Sequence, residues 1–408
     1  MRVRFALGVV PLVLACGPAL AQSTTTLYGV FDAGLLYISQ LSASPLGYIP
    51  SPASTGSAFR LKDGGLGASN WGMRGREDLG GGMAATFQLQ GNFNVKDGTT
   101  GGPNSLGGTS FFNQYATVGF SGAFGEVKVG RTVSPMYFAM ASTDARGGRY
   151  FGSALTALVG LNSASGAFIG NNSNVAFGTV YNDNAIVYSA PAWNGLKLSA
   201  EYAFGDTVDS LKANSQQALT AIYDNGGLRL SGLFYNGYGN NLDAATTLFN
   251  VRTGNPPAGA AGAAAAAAAG FSPTANTNRL SSLGSAYATG NWNFTAAYFW
   301  ARNPSHAIVP GGSDSLDMWS VGAGWKPMPH INVMAGYYYI KDKKNVGNHA
   351  SQFALGAEYS LSKRTTFYVE GAAITNDGAN MNLSPMYATR VAANKNVNAV
   401  MTGMRHSF

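Results

Sequence analysis

The chain of 408 residues is poor in several things at once. It holds one cysteine and four histidines. Charged residues make up 11% of it, against roughly 25% in average soluble proteins. Beyond residue 20, no run of about 18 apolar residues occurs unmixed with polar ones. Each shortage excludes something. One cysteine cannot make an intrachain disulfide framework. His306, His330, His349 and His406 have no Asp or Ser at a telling spacing and form no metal-spaced cluster, so neither hydrolytic catalysis nor a metal or other cofactor is expected. The lack of long apolar runs excludes a helical membrane domain. What is abundant is glycine (54 residues) and aromatic side chains (12%), with 46% hydrophobic residues overall. That aromatic content excludes a disordered chain. Yet mean hydropathy is zero, so the apolar residues must be evenly interleaved with polar ones.

The first residues read as an export signal. Arg2 and Arg4 precede an apolar stretch from Phe5 to Ala15, and Ala19-Leu20-Ala21 is a small-x-small motif. A signal peptide is expected over residues 1–21, cleaved after Ala21, with residues 22–408 forming one exported unit. Val13-Leu14-Ala15-Cys16 loosely resembles a lipidation box, in which Leu14 fits poorly. Cleavage after Ala21 removes the cysteine and leaves 24 bases against 19 acids, a net charge of +5.

The rest alternates with period two. Leu27, Phe31, Leu35 and Tyr37 share one face, and Asp32 lies on the other. Leu196, Leu198, Ala200, Tyr202 and Phe204 alternate with Lys197, Ser199, Glu201 and Ala203. Trp292 to Trp300, Trp319 to Trp325 and Phe353 to Leu361 repeat the pattern. Such alternation is one apolar and one polar face per strand. A soluble sandwich also alternates, but its strands run about 5–6 residues. These run ten or more, the length that crosses a bilayer when tilted. Tyr28, Tyr37, Trp71, Trp193, Trp292, Trp300, Trp325 and Tyr337 to Tyr339 sit near segment ends, where interfacial girdles belong.

Short and long connections alternate as well. Tight turns are expected at Leu79-Gly80-Gly81-Gly82, Ala123-Phe124-Gly125, Trp193-Asn194-Gly195, Asn225-Gly226-Gly227, Gly290-Asn291, Met328-Pro329-His330 and Ser362-Lys363-Arg364. Long loops are expected at about 40–69, 95–111, 132–181, 205–216, 239–278, 303–314, 342–350 and 376–396. These seven turns and eight loops join sixteen strands into an all-β, antiparallel transmembrane β-barrel. Sixteen strands leave an aqueous lumen. The alanine run within Asn255 to Gly270 reads as a variable outer loop.

Several strings carry a family resemblance. Leu27-Tyr28-Gly29-Val30-Phe31-Asp32, Trp71 to Met83 with Gly75-Arg76-Glu77-Asp78-Leu79-Gly80-Gly81-Gly82 at its centre, and Phe124-Gly125-Glu126-Val127-Lys128-Val129-Gly130-Arg131 are three. Val187 to Pro191 and the closing Arg405-His406-Ser407-Phe408 are two more. The chain resembles the general diffusion porins of Gram-negative bacteria, of the beta-proteobacterial type, over its whole exported length. The resemblance implies passive diffusion of ions and small hydrophilic solutes through the outer membrane. It also implies a homotrimer embedded in outer-membrane lipid, a third long loop folded into the barrel, and a terminal Phe408 read by the barrel assembly machinery. No nucleic-acid partner is expected. A substrate-specific porin, or a barrel serving as adhesin or receptor through its long loops, remains an alternative. The absence of a clear aromatic slide weighs against substrate specificity, because the tyrosines are expected at the interfaces.

Face parity points a set of charges inward: Asp32, Arg74, Arg76, Asp78, Lys128, Lys197, Glu201, Arg229, Lys326, Glu358, Glu370 and Arg405. Lys326 and Arg405 fall close to strand ends and suit either the pore wall or its rim. The third loop holds one acid, Asp144, and two bases, Arg146 and Arg149. An Asp144 facing Arg74, Arg76, Lys128 and Arg131 would set up a transverse field. Bases outnumber acids around the constriction, so weak anion preference is expected. Val400, Thr402, Met404 and Phe408 point outward. Deleting Phe408 is expected to lower the yield in the outer membrane, measured by fractionation and blotting. Undiminished assembly would refute its role as a signal.

Overall fold

The computed structural model describes residues 23–42, 55–100, 111–157, 180–238, 274, 277–302, 315–378, 381–387, 389 and 391–408. The signal segment with Ala21, the alanine run and residues 158–179 of the third loop lie outside the described residues.

The wall begins with β1 (Thr24–Ser42), β2 (Thr55–Asp63), β3 (Asn70–Gly80) and β4 (Met83–Asn92). It continues through β5 (Tyr115–Gly122) and β6 (Gly125–Val133), then a helix, α1 (Pro135–Ser142). After it come β7 (Tyr181–Ser189), β8 (Leu196–Ala203), β9 (Gln216–Asn225) and β10 (Leu228–Tyr238). The circuit ends with β11 (Thr277–Thr289), β12 (Trp292–Arg302), β13 (Ser315–Met328) and β14 (Ile331–Asp342), followed by β15 (His349–Ser360), β16 (Thr365–Asp377) and β17 (Val397–Ser407). All pairings are antiparallel, and β17 returns to β1 from Val30↔Ser407 to Ile38↔Ala399, which closes the ring.

The sheet has 17 hydrogen-bonded segments, yet the barrel has sixteen strands. The reason is local. Residues Ala33 to Ser42 of β1 pair with β2, and Thr24 to Val30 pair with β3. β2 and β3 are thus two halves of one wall strand, interrupted at residues 64–69. The expected loop of 40–69 is corrected accordingly: Thr55–Asp63 extends the wall, with Phe59 81% exposed on its outer face.

All seven expected tight turns are present, and in five of them glycine or asparagine supplies a left-handed conformation. Asn194 and Gly195 have φ of 47° and 86°, and Gly226 and Gly227 have 54° and 93°. Between turns the alternation holds. In β12, Trp292, Phe294 and Trp300 are exposed outward while Thr295, Ala297 and Phe299 are buried within. β17 has Val400 and Met404 outside and Val397, Ala399 and Met401 inside. Outward apolar side chains gain about 25 cal/mol per Å² on leaving water for lipid. The core therefore lies inside the barrel. It joins Leu233, Phe299, Met318 and Ile340 of the wall to Met136, Met140 and Phe151 of the third loop.

Asp32 holds the break in the second wall strand. Its carboxylate accepts the amides of Gly65 (3.1 Å), Leu66 (3.0 Å) and Gly67 (2.9 Å) and the Tyr368 hydroxyl (2.8 Å). Its backbone carbonyl accepts from Gly64 at 2.7 Å, and its amide donates to Ser69 Oγ at 2.9 Å. The side chain is fully buried. Asp32 is therefore no water-facing pore charge: the amides that would otherwise lose their ladder partners at the break enclose it. Asp32→Ala strips an acceptor from four donors, and an unsatisfied buried group costs about 1–3 kcal/mol. A loss of about 3–5 kcal/mol in denaturant unfolding is expected, with a smaller loss for Asp32→Asn. An unchanged midpoint for Asp32→Ala would refute this role.

Candidate functional site at the lumen constriction

The third long loop enters the lumen as helix α1. Ser134 caps it, its Oγ accepting from Met136 N at 3.4 Å, and Pro135 opens it where no amide donor is needed. Ser134 Oγ also donates to Glu201 Oε2 at 2.5 Å, and Asn182 Nδ2 donates to Oε1 at 2.9 Å. Glu201 is thus spent on the root of the loop. The helix has no charged residue, and it lays Met136, Ala139 and Met140 against β9 and β10.

Beyond the helix the loop is pinned strand by strand. Thr143 Oγ1 meets Ser231 Oγ of β10 at 2.8 Å, and Ala145 N donates to Thr295 Oγ1 of β12 at 3.1 Å. Asp144 accepts the Tyr338 hydroxyl of β14 at 2.6 Å and the amides of Arg146, Gly148 and Ala154 at 3.1, 3.2 and 2.9 Å. Arg146 pairs with Glu370 of β16, and both side chains are fully buried. Arg149 Nε and Nη2 donate to Glu358 Oε1 of β15 at 2.8 and 2.5 Å, and its Nη1 donates to the Arg146 carbonyl at 2.6 Å. Three wall glycines give the loop room. A Cβ at Gly284 would strike Thr143, one at Gly322 would strike Ala145, and one at Gly356 would strike the Arg146–Glu370 pair.

The described residues 143–149 are thus pinned to β10, β12 and β14–β16, and β1 and β3–β8 form the remaining part of the wall. Here Arg74 and Arg76 are exposed. Arg74 lies 5.1 Å over the Tyr28 ring, and Arg76 Nη1 is 3.4 Å from Ser121 Oγ. Neither has a carboxylate within ion-pair distance among the described residues. Lys128 pairs with Glu126 at 2.8 Å. Arg131 pairs with Asp183, donates to the Asn113 carbonyl at 2.8 Å and is 10% exposed. Tyr28 donates to Gln90 at 2.7 Å, and Gln90 donates to Gln114 at 2.5 Å, forming an amide ladder up this wall.

Two cavities meet at Arg149, which lines both. One, of about 750 Å³, opens toward the short-turn rim past Asn225, Asn291, Lys326 and Asn332. The other, of about 520 Å³, is lined by Gln90, Gln114, Tyr115, Tyr137, Glu358 and Arg405 among others. Arg405 lies 3.8 Å from Asp32. Asp78 accepts the Gly80 amide at 2.9 Å in the first turn, and Asp224 binds Lys197 at 3.4 Å and Arg229 at 2.5 Å near the same rim.

Several expectations need correction. Asp144 does not face Arg74, Arg76, Lys128 and Arg131. Three amides of its own loop and the Tyr338 hydroxyl hold it, so it is not a water-facing acid set against those bases. Arg146, Glu370 and Glu201 are buried clasps rather than water-facing charges, because each carries a loop bond that desolvates it. The tyrosines are not confined to the interfaces: Tyr28, Tyr137, Tyr338 and Tyr368 are within the lumen. Burial, then the charge of Asp144, pushes the Tyr137 phenol above its ordinary pKa, and its hydroxyl stays protonated to donate to the Gly148 carbonyl at 3.1 Å. Sequence reasoning also overlooked Arg60, whose Nη2 donates to Thr389 Oγ1 at 3.0 Å. The parity of Phe59 and Leu61 was its available signal.

Comparison with known proteins places this geometry. The family described as Gram-negative porin matches residues 8–379. Outer membrane porin protein 32 of Delftia acidovorans is 26% identical over 398 residues, covering 97% of each chain. An outer membrane porin protein of Bordetella pertussis is 28% identical over 378 residues, covering 87% of this chain and 90% of that one. Among solved structures, the anion-selective porin from Comamonas acidovorans superposes with a TM-score of 0.70 at 22% identity, covering 95% of this chain and 100% of that one.

The Arg146–Glu370 clasp makes a test of loop anchoring. Glu370→Gln leaves a buried guanidinium without its counter-charge, which costs about 3–5 kcal/mol. The expected result is a lower thermal unfolding midpoint and noisier single-channel current. Replacing both residues by Met is expected to recover most of the midpoint. Equal losses in the single and double variants would contradict the clasp.

Proposed function

The chain belongs to the Gram-negative porin family and forms a diffusion channel of the bacterial outer membrane. On that premise we propose that it passes small hydrophilic anions in preference to cations. One observation carries this reading: the lumen acids are engaged while several bases, Arg74 and Arg76 among them, have no carboxylate partner among the described residues. Asp32, Asp144, Glu201 and Glu370 are buried in hydrogen bonds, and Glu358 is shared by Arg149 and Asn332. Arg74 and Arg76 stand exposed on the open wall with no carboxylate beside them among the described residues. A passing ion is biased most by charge that it can approach through water and that no counter-charge neutralises. The related Comamonas protein, described as anion-selective, supports the same direction.

The remaining expectations belong to this proposal. Export uses the segment cleaved after Ala21. Three chains associate through the outward face around the closing strands, where Phe31 sits 5.2 Å from Phe93 and 5.8 Å from Phe408. The barrel assembly machinery reads Phe408, whose amide donates to the Gly29 carbonyl at 3.0 Å. Family and fold are those of a channel, and the polar groups of the lumen are used in holding a loop and biasing ions. No chemical step is proposed.

The test is the zero-current potential across a planar bilayer in a KCl gradient. Its sign is expected to show chloride permeating faster than potassium. Replacing Arg74 and Arg76 together by Gln should cut the chloride-to-potassium ratio about two- to fivefold, on the order expected for partly screened unit charges near the ion path. A potassium-selective reversal for the unaltered protein would overturn the proposal.

A further inference from the structure

The cavity of about 520 Å³ beside Arg149 has a lining that bulk ion flow does not require. Tyr115, Tyr137 and Tyr181 line it, and Phe138 projects from α1 with half its surface exposed. Phe138 packs edge-on to Tyr137 at 5.5 Å. A large apolar ring held in a water-filled lumen loses the gain that burial would provide. Its neighbours could have covered it: Met136, Ala139 and Met140 of the same helix are all buried against the wall. The helix instead turns Phe138 toward the solute path.

The same cavity is lined by a guanidinium with donors to spare. Arg405 is 36% exposed, and its carboxylate neighbour Asp32 is 3.8 Å away, at the edge of ion pairing. Asp32 already accepts from three amides and Tyr368, so it has little capacity left for Arg405. Arg149 differs: its Nε, Nη1 and Nη2 are all engaged. Gln90 and Gln114 add amide groups on the open wall. Aromatic rings and a forked, under-occupied cation lining one cavity match a planar aromatic body carrying one carboxylate. The cavity's size falls within the usual range for small-molecule sites.

We propose that this cavity is a subsite for small aromatic carboxylates, with the ring lying against Tyr115, Tyr137 and Phe138 and the carboxylate on Arg405. The proposal rests on the anion-channel reading and assigns it a preferred class of solute. Arg405 supplies charge and a bidentate fork, and the rings discriminate among carboxylates of equal charge. A solute bound here lies directly beside Arg149, so it obstructs the path while it stays.

The experiment is solute block of chloride current through the full-length channel in a planar bilayer at pH 7, where benzoic acid is ionised. Benzoate, acetate, cyclohexanecarboxylate, benzamide and glucose are titrated separately. Benzoate is expected to half-block at a concentration at least tenfold below acetate and severalfold below cyclohexanecarboxylate. Benzamide and glucose are expected not to block. Phe138→Ala should raise the half-blocking concentration of benzoate about fivefold while that of acetate stays the same. Tyr115→Leu provides a second variant with the same expected direction, should the first fail to assemble. Arg405→Lys, which keeps the charge and loses the fork, should weaken block by benzoate and by acetate alike and leave the ratio between them, which the rings set, in place. Equal block by benzoate and acetate, or block by glucose or benzamide in place of benzoate, would overturn the subsite while chloride preference stands. Loss of chloride preference in the unaltered protein would instead remove the reading beneath it.

Discussion

Hydrocarbon offers no hydrogen-bond partner to a peptide group, and the architecture depends on that constraint. An open sheet edge in lipid would leave a row of unpaired amides and carbonyls, each costing several kcal/mol. Pairing β17 with β1 from Val30 to Ile38 removes the edge. Once the ring is closed, each strand has one lipid face and one lumen face, and the period-two pattern follows. The same requirement operates where the wall is interrupted. Between β2 and β3 the ladder is lost at residues 64–69, and the Asp32 carboxylate supplies acceptors in its place.

The lumen obeys a different rule. A loop crossing a water-filled barrel has no reason to stay in place unless it buries apolar surface and satisfies its polar groups there. The third loop does both on one half of the wall. Its helix and Phe151 cover Leu233, Phe299, Met318 and Ile340, while Asp144, Arg146 and Arg149 each take a partner from a different strand. Anchoring the loop occupies Asp144, Glu201, Glu358 and Glu370. The pore's charge bias is thus what its mechanical needs leave over: carboxylates were committed to holding backbone and guanidinium groups, and Arg74 and Arg76 were not drawn into that network.

Much of the wall was legible from residue order alone. Turn glycines and asparagines mark the short rim, and alternation tells inward from outward, because both depend on neighbours within a few positions. β2 was hidden because prolines before it and glycines after it suggested one long loop, although Phe59 and Leu61 alternate with Arg60 and Lys62. The clasps were not legible for a different reason. Asp144 and Tyr338 are 194 positions apart, and Arg146 and Glu370 are 224 apart. Parity told that Glu370 points inward, but an inward direction does not distinguish a charge in water from one beneath a loop. The same limit applied to Tyr338, whose place near a segment end suggested an interface and which instead donates to Asp144 in the lumen.

The closing seam has a consequence in time as well as in space. The segments that seal the ring, β1 and β17, are separated by nearly the whole wall, while every other pair along the circuit joins near neighbours in the chain. Contacts of such separation are the slowest to form, since the intervening chain must be ordered before they can repay its entropy. Until they do, the growing sheet has two bare edges that could pair with any other strand. A barrel sealed this way is secure once finished and vulnerable until then. Its passage to the membrane must therefore keep the chain unpaired, and the final zip of β17 onto β1 is the event that turns a sticky sheet into an inert pore.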